Sequence, residues 1–312
     1  MTERMVRDDT RRSPHPWRAA PGAAWAVRTA WVAVVLLSAV PAILGHQLWG
    51  AVPSWIIVAQ AAVVGLLLLC TLGIARIRPL WRFGVASGAL LLLTWAWGNV
   101  SFALPALQSL FGGTPFDARM QAEQTGRLAV ALSMIGVMLL LGLRPGQFFL
   151  ALGQLTAPIR PVRVLGFPKA DPWPRFGLIW GFGIAGALGV GQYLLLRPDP
   201  SAIAALWPMV PSILFYAALN AFSEEMTYRA PLLATLEPAV GGRHALWQTA
   251  FLFGVAHYFG VPGGLVGAVL SVFMGWILGK AMLETRGLFW AWFIHFLSDI
   301  VIFAFLALAL VS

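Results

Sequence analysis

A chain of 312 residues that is 59% hydrophobic and only 11% charged has more apolar surface than one soluble core can bury, which excludes a water-soluble domain. Its net charge of +9 falls on alternate loops, so it speaks of membrane topology and not of a nucleic-acid surface. A single cysteine, Cys70, lies within an apolar run and allows neither an intramolecular disulfide nor a thiolate metal cluster.

Residues 1–24, rich in Pro, Arg and Asp, read as a disordered basic cytoplasmic tail. The twin arginine Arg11-Arg12 lacks the rest of an export signal, and the apolar run after it is long enough to be kept as an anchor. Apolar windows of about 20 residues suffice to cross a hydrocarbon layer of about 30 Å as helices. Such windows fall near Thr29–Leu48, Ser54–Ala75, Phe83–Val100 and Arg127–Leu143, the N-terminal helices of a region covering residues 25–143. A Pro-rich cytoplasmic segment, 144–175, follows. Gln147–Gln154 could form a short interfacial helix there, and Pro158, Pro161, Pro168, Pro172 and Pro174 forbid a long one afterwards. The region 176–312 then holds windows near Phe176–Leu196, Met209–Leu236, Ala245–Phe259, Pro262–Met282 and Leu288–Leu310. The expected fold is an all-α polytopic transmembrane bundle of nine spans, or eight if the short Ala245–Phe259 does not cross. No internal repeat supports an inverted-repeat transporter. Arginine clusters at Arg76–Arg82, Arg144–Arg175, Arg243 and Arg286 put the N-terminus in the cytoplasm of a cell inner or plasma membrane, with Arg119, Arg127 and Arg197 on the far side. Trp25, Trp49, Trp55, Trp173 and Trp207 read as interfacial anchors.

The N-terminal half reads as empty of buried acids, whereas the C-terminal half holds Glu224, Glu225 and Asp299, so function is sought after Phe176. An ionisable group at membrane depth costs at least a few kcal/mol, and a chain that keeps two adjacent ones is expected to use at least one. On a helix, Glu225 and Arg229 are four apart and share a face, while Glu224 points about 100° away. Glu225 is thus expected in an ion pair, and Glu224 in a drier cavity near another negative charge, which is how two identical acids acquire different acid/base roles. His257 ends the run beginning at Phe253. His295 and Asp299 are spaced i, i+4, so the carboxylate can orient the imidazole. Counted at about 1.5 Å per residue from their cytoplasmic helix ends, Glu224, His257 and His295 fall at similar depth. Pro231 is expected to kink the helix one turn beyond.

The ordered set E-E-x-x-x-R (Glu224, Glu225, Arg229), F-x-x-x-H (Phe253, His257) and H-x-x-x-D (His295, Asp299) resembles the CPBP family of intramembrane endopeptidases, also called the CAAX protease or Abi family. The resemblance spans about 207–308, and nothing before Phe176 contributes to it. It implies a glutamic-type endopeptidase with its pocket among the C-terminal helices. In this resemblance Glu224 activates water, Glu225 and Arg229 support it with Phe253, His257 places the water, and His295 with Asp299 faces the developing oxyanion. Many members have asparagine at the Asp299 position. An ionised aspartate cannot donate a hydrogen bond, so Asp299 must be protonated there or must act by orienting His295. The implied partners are a membrane-associated protein or peptide substrate and the bilayer, with no nucleic acid. No cofactor is expected; the alternative is a divalent metal such as zinc on Glu224, His257 and His295. A non-enzymatic transporter or immunity-type membrane protein is the reading from a different class.

Overall fold

The computed structural model describes residues 23–98, 100 and 104–311, and these contain helices and no β-strand. The tail expected over 1–24 therefore lies outside the described residues as far as residue 22, and the first helix begins at Ala24. In chain order the helices are α1 (Ala24–Leu37), α2 (Val40–Trp49), α3 (Trp55–Gly73), α4 (Trp81–Trp97), α5 (Pro105–Phe111), α6 (Pro115–Leu140), α7 (Trp173–Leu196), α8 (Pro200–Ala204), α9 (Val210–Glu224), α10 (Ala230–Val240), α11 (Gly242–Ala256), α12 (Gly264–Thr285) and α13 (Phe289–Val311).

Among the described residues seven helical stretches are long and apolar enough to cross a membrane, and the pair α1–α2, bent by 41°, makes an eighth if it is one span. The chain is an integral membrane protein with an all-α polytopic bundle. The ninth window, Ala245–Phe259, does not qualify: it is the 15-residue helix α11, whose length of about 22 Å falls short of the hydrocarbon thickness. The span read as Arg127–Leu143 is also corrected, because α6 starts at Pro115. Thr114 caps it by accepting the Asp117 amide at 3.1 Å, and Pro115 supplies a preset φ at the first turn. Arg127 thus lies twelve residues into the helix, about 18 Å along it, and not at its edge.

Helix α6 packs on both α4 and α9, α13 packs on α9 and α7, and α11 lies against α12. Close approach of the last pair depends on small residues. A Cβ on Gly254 would run into the Val272 backbone, and Gly275 and Gly279 face Phe253, Ala250 and Leu246. Gly254→Ala is expected to lower stability by about 1–3 kcal/mol by forcing the two helices apart, read as a drop in the unfolding midpoint in detergent; an unchanged midpoint would show that the contact can relax freely.

The segment between α6 and α7 forms no interfacial helix over Gln147–Gln154. It has a 3₁₀ turn at Pro145–Phe148, and its prolines keep the rest out of α-helix. It is clamped to the α12–α13 turn: Gln154 N donates to Thr285 O, and Leu288 N donates to Ala151 O, both at 2.7 Å. A buried pair, Lys280–Glu284 at 2.5 Å, holds the same segment, with Lys280 donating to the Arg160 carbonyl (3.0 Å) and Glu284 accepting from Trp173 (3.1 Å). Trp173 is consequently buried in the core and is no lipid-facing anchor, while Trp25, Trp49, Trp55 and Trp207 are exposed as expected. Arg286 grips Glu237 through two hydrogen bonds of 2.7 Å, so the ends of α10 and α12 share one face of the bundle with this basic segment.

Candidate active site

The helix that carries both glutamates is not uniform. Between α9 and α10 the residues Glu225–Arg229 form a single π turn, in which the Ala230 amide donates to the Glu225 carbonyl. Pro231, at the start of α10, has no N–H to offer an α-type ladder, and the expected kink takes the form of this widened turn. Glu224 is the last residue of α9 and Glu225 the first of the π turn, so the two carboxyls diverge.

Glu225 and Arg229 form the expected ion pair, both fully buried. The Arg229 guanidinium lies over the Phe253 ring, 4.1 Å from its centre, which adds a cation–π contact to the pair. His295 Nδ1 stands 2.8 Å from Glu225 Oε1, and since a carboxylate accepts, Nδ1–H is the donor. Its Nε2 then points between Glu224 Oε2 at 3.6 Å and Asp299 Oδ2 at 3.7 Å. Phe253 packs edge-on against His295 and 4.4 Å from the His257 ring. It was expected to support the site, and it touches Arg229 and both imidazoles.

His257 caps the end of α11. Its Nδ1 lies 2.9 Å from the Phe253 carbonyl, which can only accept, so Nδ1–H is the donor and Nε2 is the ring nitrogen left free of that bond. The short helix has a purpose in this geometry: ending at His257, it brings that ring to the wall of a cavity of about 460 Å³ also lined by Glu224, Tyr228 and Arg127. The remaining walls are largely apolar and come partly from the N-terminal helices, through Phe83, Leu90 and Leu91 on α4 and Val130 on α6. His295 and Asp299 do not line this cavity. They lie behind Glu224, both buried.

The N-terminal half contributes more than the sequence suggested. Arg127 Nη1 donates to Glu224 Oε1 at 3.1 Å and to Asn220 Oδ1 at 2.7 Å. Asn220 Nδ2 in turn donates to Asp299 Oδ2 at 3.0 Å and to Glu224 Oε1 at 3.3 Å, and Gln124 Nε2 donates to Asn220 Oδ1 at 3.0 Å. Glu224 therefore does not sit in a cavity without a cation, as its sequence context suggested: α6 brings one to it. The same α6–α9 seam holds a fully buried acid in the N-terminal half, Asp117, whose Oδ1 accepts from Tyr216 at 2.6 Å. That half is not empty of buried acids. The signal was present in the spacing of Asp117, Gln121, Gln124 and Arg127 at i, i+4, i+7 and i+10, one helical face opposite Tyr216, Asn220 and Glu224.

All residues expected at the site are thus drawn together: Glu224 and His257 on the cavity, Glu225, Arg229, Phe253, His295 and Asp299 packed behind them. Residues 206–301 match a family model described as type II CAAX prenyl endopeptidase Rce1-like. This segment belongs to the CAAX protease (CPBP) family. Searches of the curated proteins and of the solved structures found no match. The CAAX protease segment includes α9 to most of α13 and every residue of the three motifs, but neither Arg127 nor the α4 wall of the cavity. The family is one of membrane peptidases acting on membrane-associated proteins. Among the described residues no group of three or more His, Cys, Asp or Glu side chains is arranged to hold a metal ion, and the alternative set Glu224, His257 and His295 forms no such group.

Proposed function

We propose that the chain is a glutamic-type intramembrane endopeptidase that hydrolyses a peptide bond near the end of a membrane-anchored substrate of the CAAX type. The observation that carries this reading is that Glu224 and His257, whose Nδ1 is engaged by the Phe253 carbonyl, line one cavity. A water held between them loses a proton to Glu224 as its oxygen bonds to the scissile carbonyl carbon. The carbonyl π electrons move to oxygen, and the collapsing adduct expels the amine, which takes the proton back from Glu224. Glu225, Arg229 and Phe253 fix His295, which with Asp299 holds the rear of Glu224 in one orientation. No metal or other cofactor takes part in this scheme. The mainly apolar cavity wall suits an isoprenoid or acyl anchor, and the basic face formed by Arg144–Arg175 and Arg286 is assigned to the cytoplasm of the inner or plasma membrane, with the N-terminus on that side.

The test uses the purified full chain in proteoliposomes, offered a farnesylated peptide with three residues after the modified cysteine and, separately, an unmodified leader peptide. Mass spectrometry is expected to find the tripeptide released from the first, with activity kept after chelator washing and no metal bound. Proton or solute flux with no cleavage of either peptide would replace this reading with transport.

A further inference from the structure

Hydrolysis places a negative charge on the carbonyl oxygen of the adduct, and a site in hydrocarbon needs a donor aimed at it. The groups expected to supply one are engaged elsewhere. His295 Nδ1 is spent on Glu225, Asp299 accepts the Asn220 amide, and neither residue lines the cavity. His257 commits its Nδ1 proton to the Phe253 carbonyl.

Arg127 remains. It lines the cavity, its side chain is 44% exposed, and it is 3.1 Å from Glu224 Oε1. Both of its hydrogen bonds leave from Nη1, so three of the five guanidinium donors, on Nε and Nη2, are uncommitted to Glu224 or Asn220. We propose that Arg127 is the electrophilic catalytic residue of the reaction, donating to the oxyanion of the tetrahedral adduct. The inference rests on the endopeptidase reading above.

Charge balance gives the reason. Before attack the negative charge is on Glu224 and Arg127 neutralises it. When Glu224 takes the proton from water it becomes neutral, the new C–O bond forms, and the same unit of charge appears on the former carbonyl oxygen. Arg127, adjacent to Glu224 and open to the cavity, stays paired throughout, its partner changing from the carboxylate to the oxyanion. When the C–N bond breaks and the proton leaves Glu224 for the amine, the original pair is restored. A fixed cation serving both ends of this transfer needs no reorganisation at the moment of reaction. It also assigns a catalytic role to a helix outside the matched family segment.

The experiment compares wild type with Arg127→Gln and Arg127→Lys on the peptide that the wild type cleaves. It adds two inhibitors built on that peptide: a phosphinic analogue, anionic and tetrahedral like the adduct, and a neutral N-methylated amide like the ground state. Arg127→Gln is expected to lower kcat by about 10²–10³-fold with KM changed less than about threefold. It should weaken the phosphinic analogue by a similar factor and the amide hardly at all. Arg127→Lys keeps the charge without the fork and should recover part of kcat. Unchanged kcat, or equal loss of both inhibitors as expected from a purely structural arginine, overturns the proposal while leaving the endopeptidase intact. If the wild type cleaves nothing, the endopeptidase reading itself fails and this proposal with it. Should Arg127→Gln not fold, Arg127→Lys with the two inhibitors decides alone, because a structural role predicts parallel changes in both.

Discussion

Glu224→Gln is expected to lower peptide cleavage by about 10²–10⁴-fold, the usual contribution of a positioned general base, with the unfolding midpoint nearly unchanged. The amide has the shape of the carboxylate and its oxygen can still accept from Arg127 and Asn220, which now donate at 3.1 and 3.3 Å. What it lacks is affinity for a proton. Arg127 would lose its counter-charge, but with its side chain 44% exposed it can be solvated, so folding should tolerate the change. The measurement is single-turnover cleavage in proteoliposomes beside thermal unfolding of the same preparation. Cleavage at the wild-type rate would remove Glu224 from the mechanism, and with it the arrangement on which the proposed function depends.

Breaking the second carboxyl's ion pair should act on stability first. Arg229→Met leaves Glu225 fully buried with only the His295 Nδ1–H against it, where the native structure supplies a guanidinium. Removing one member of a buried pair commonly costs about 3–5 kcal/mol, because the remaining charge is uncompensated. The double replacement Glu225→Leu with Arg229→Met removes both charges and should recover most of that loss, since apolar side chains of similar volume suit the same space. It should not recover activity, because His295 then has no acceptor to hold its ring with Nε2 toward Glu224. Denaturant unfolding in detergent and cleavage rate, measured on both variants, separate the two effects. If the double variant were as unstable as the single one, the penalty would come from packing around Phe253 and not from the unpaired charge. If the double variant cleaved normally, the support assigned to Glu225 would be lost.

The contrast between these two acids shows how far a linear reading reaches. Glu225 and Arg229 are four apart, and four-residue spacing on a helix is a contact whether or not the neighbours are known. Their pairing survives even the widening of that turn from α to π. The partner of Glu224 is of another kind: Arg127 lies 97 positions away on a helix that begins twelve residues before it, at Pro115. With Thr114 and Pro115 taken as cap and first turn, Arg127 moves from the membrane edge to the interior, where a cation demands a partner. Even then nothing local says that the partner is Glu224. The shortness of α11 carries the same lesson, because Ala245–Phe259 looks like a poor span until its end is seen to present His257 to the cavity.

By itself the chain's sequence determined that it is a helical membrane protein and that three motifs follow one another on its C-terminal helices in the order of the CAAX protease family. Those properties follow from local quantities: apolar run length, helical spacing, and the cost of placing charge in hydrocarbon. Only the tertiary structure decided which groups share the cavity, that His295 and Asp299 lie behind it, and that α4 and α6 close it with Arg127 facing in. The physical reason is that each helix satisfies its own backbone hydrogen bonds internally, so periodicity reveals a face but not what will pack against it. That choice belongs to side-chain packing and polar pairing between helices far apart in the chain, such as the seam of Asp117, Gln124 and Arg127 against Tyr216, Asn220 and Glu224.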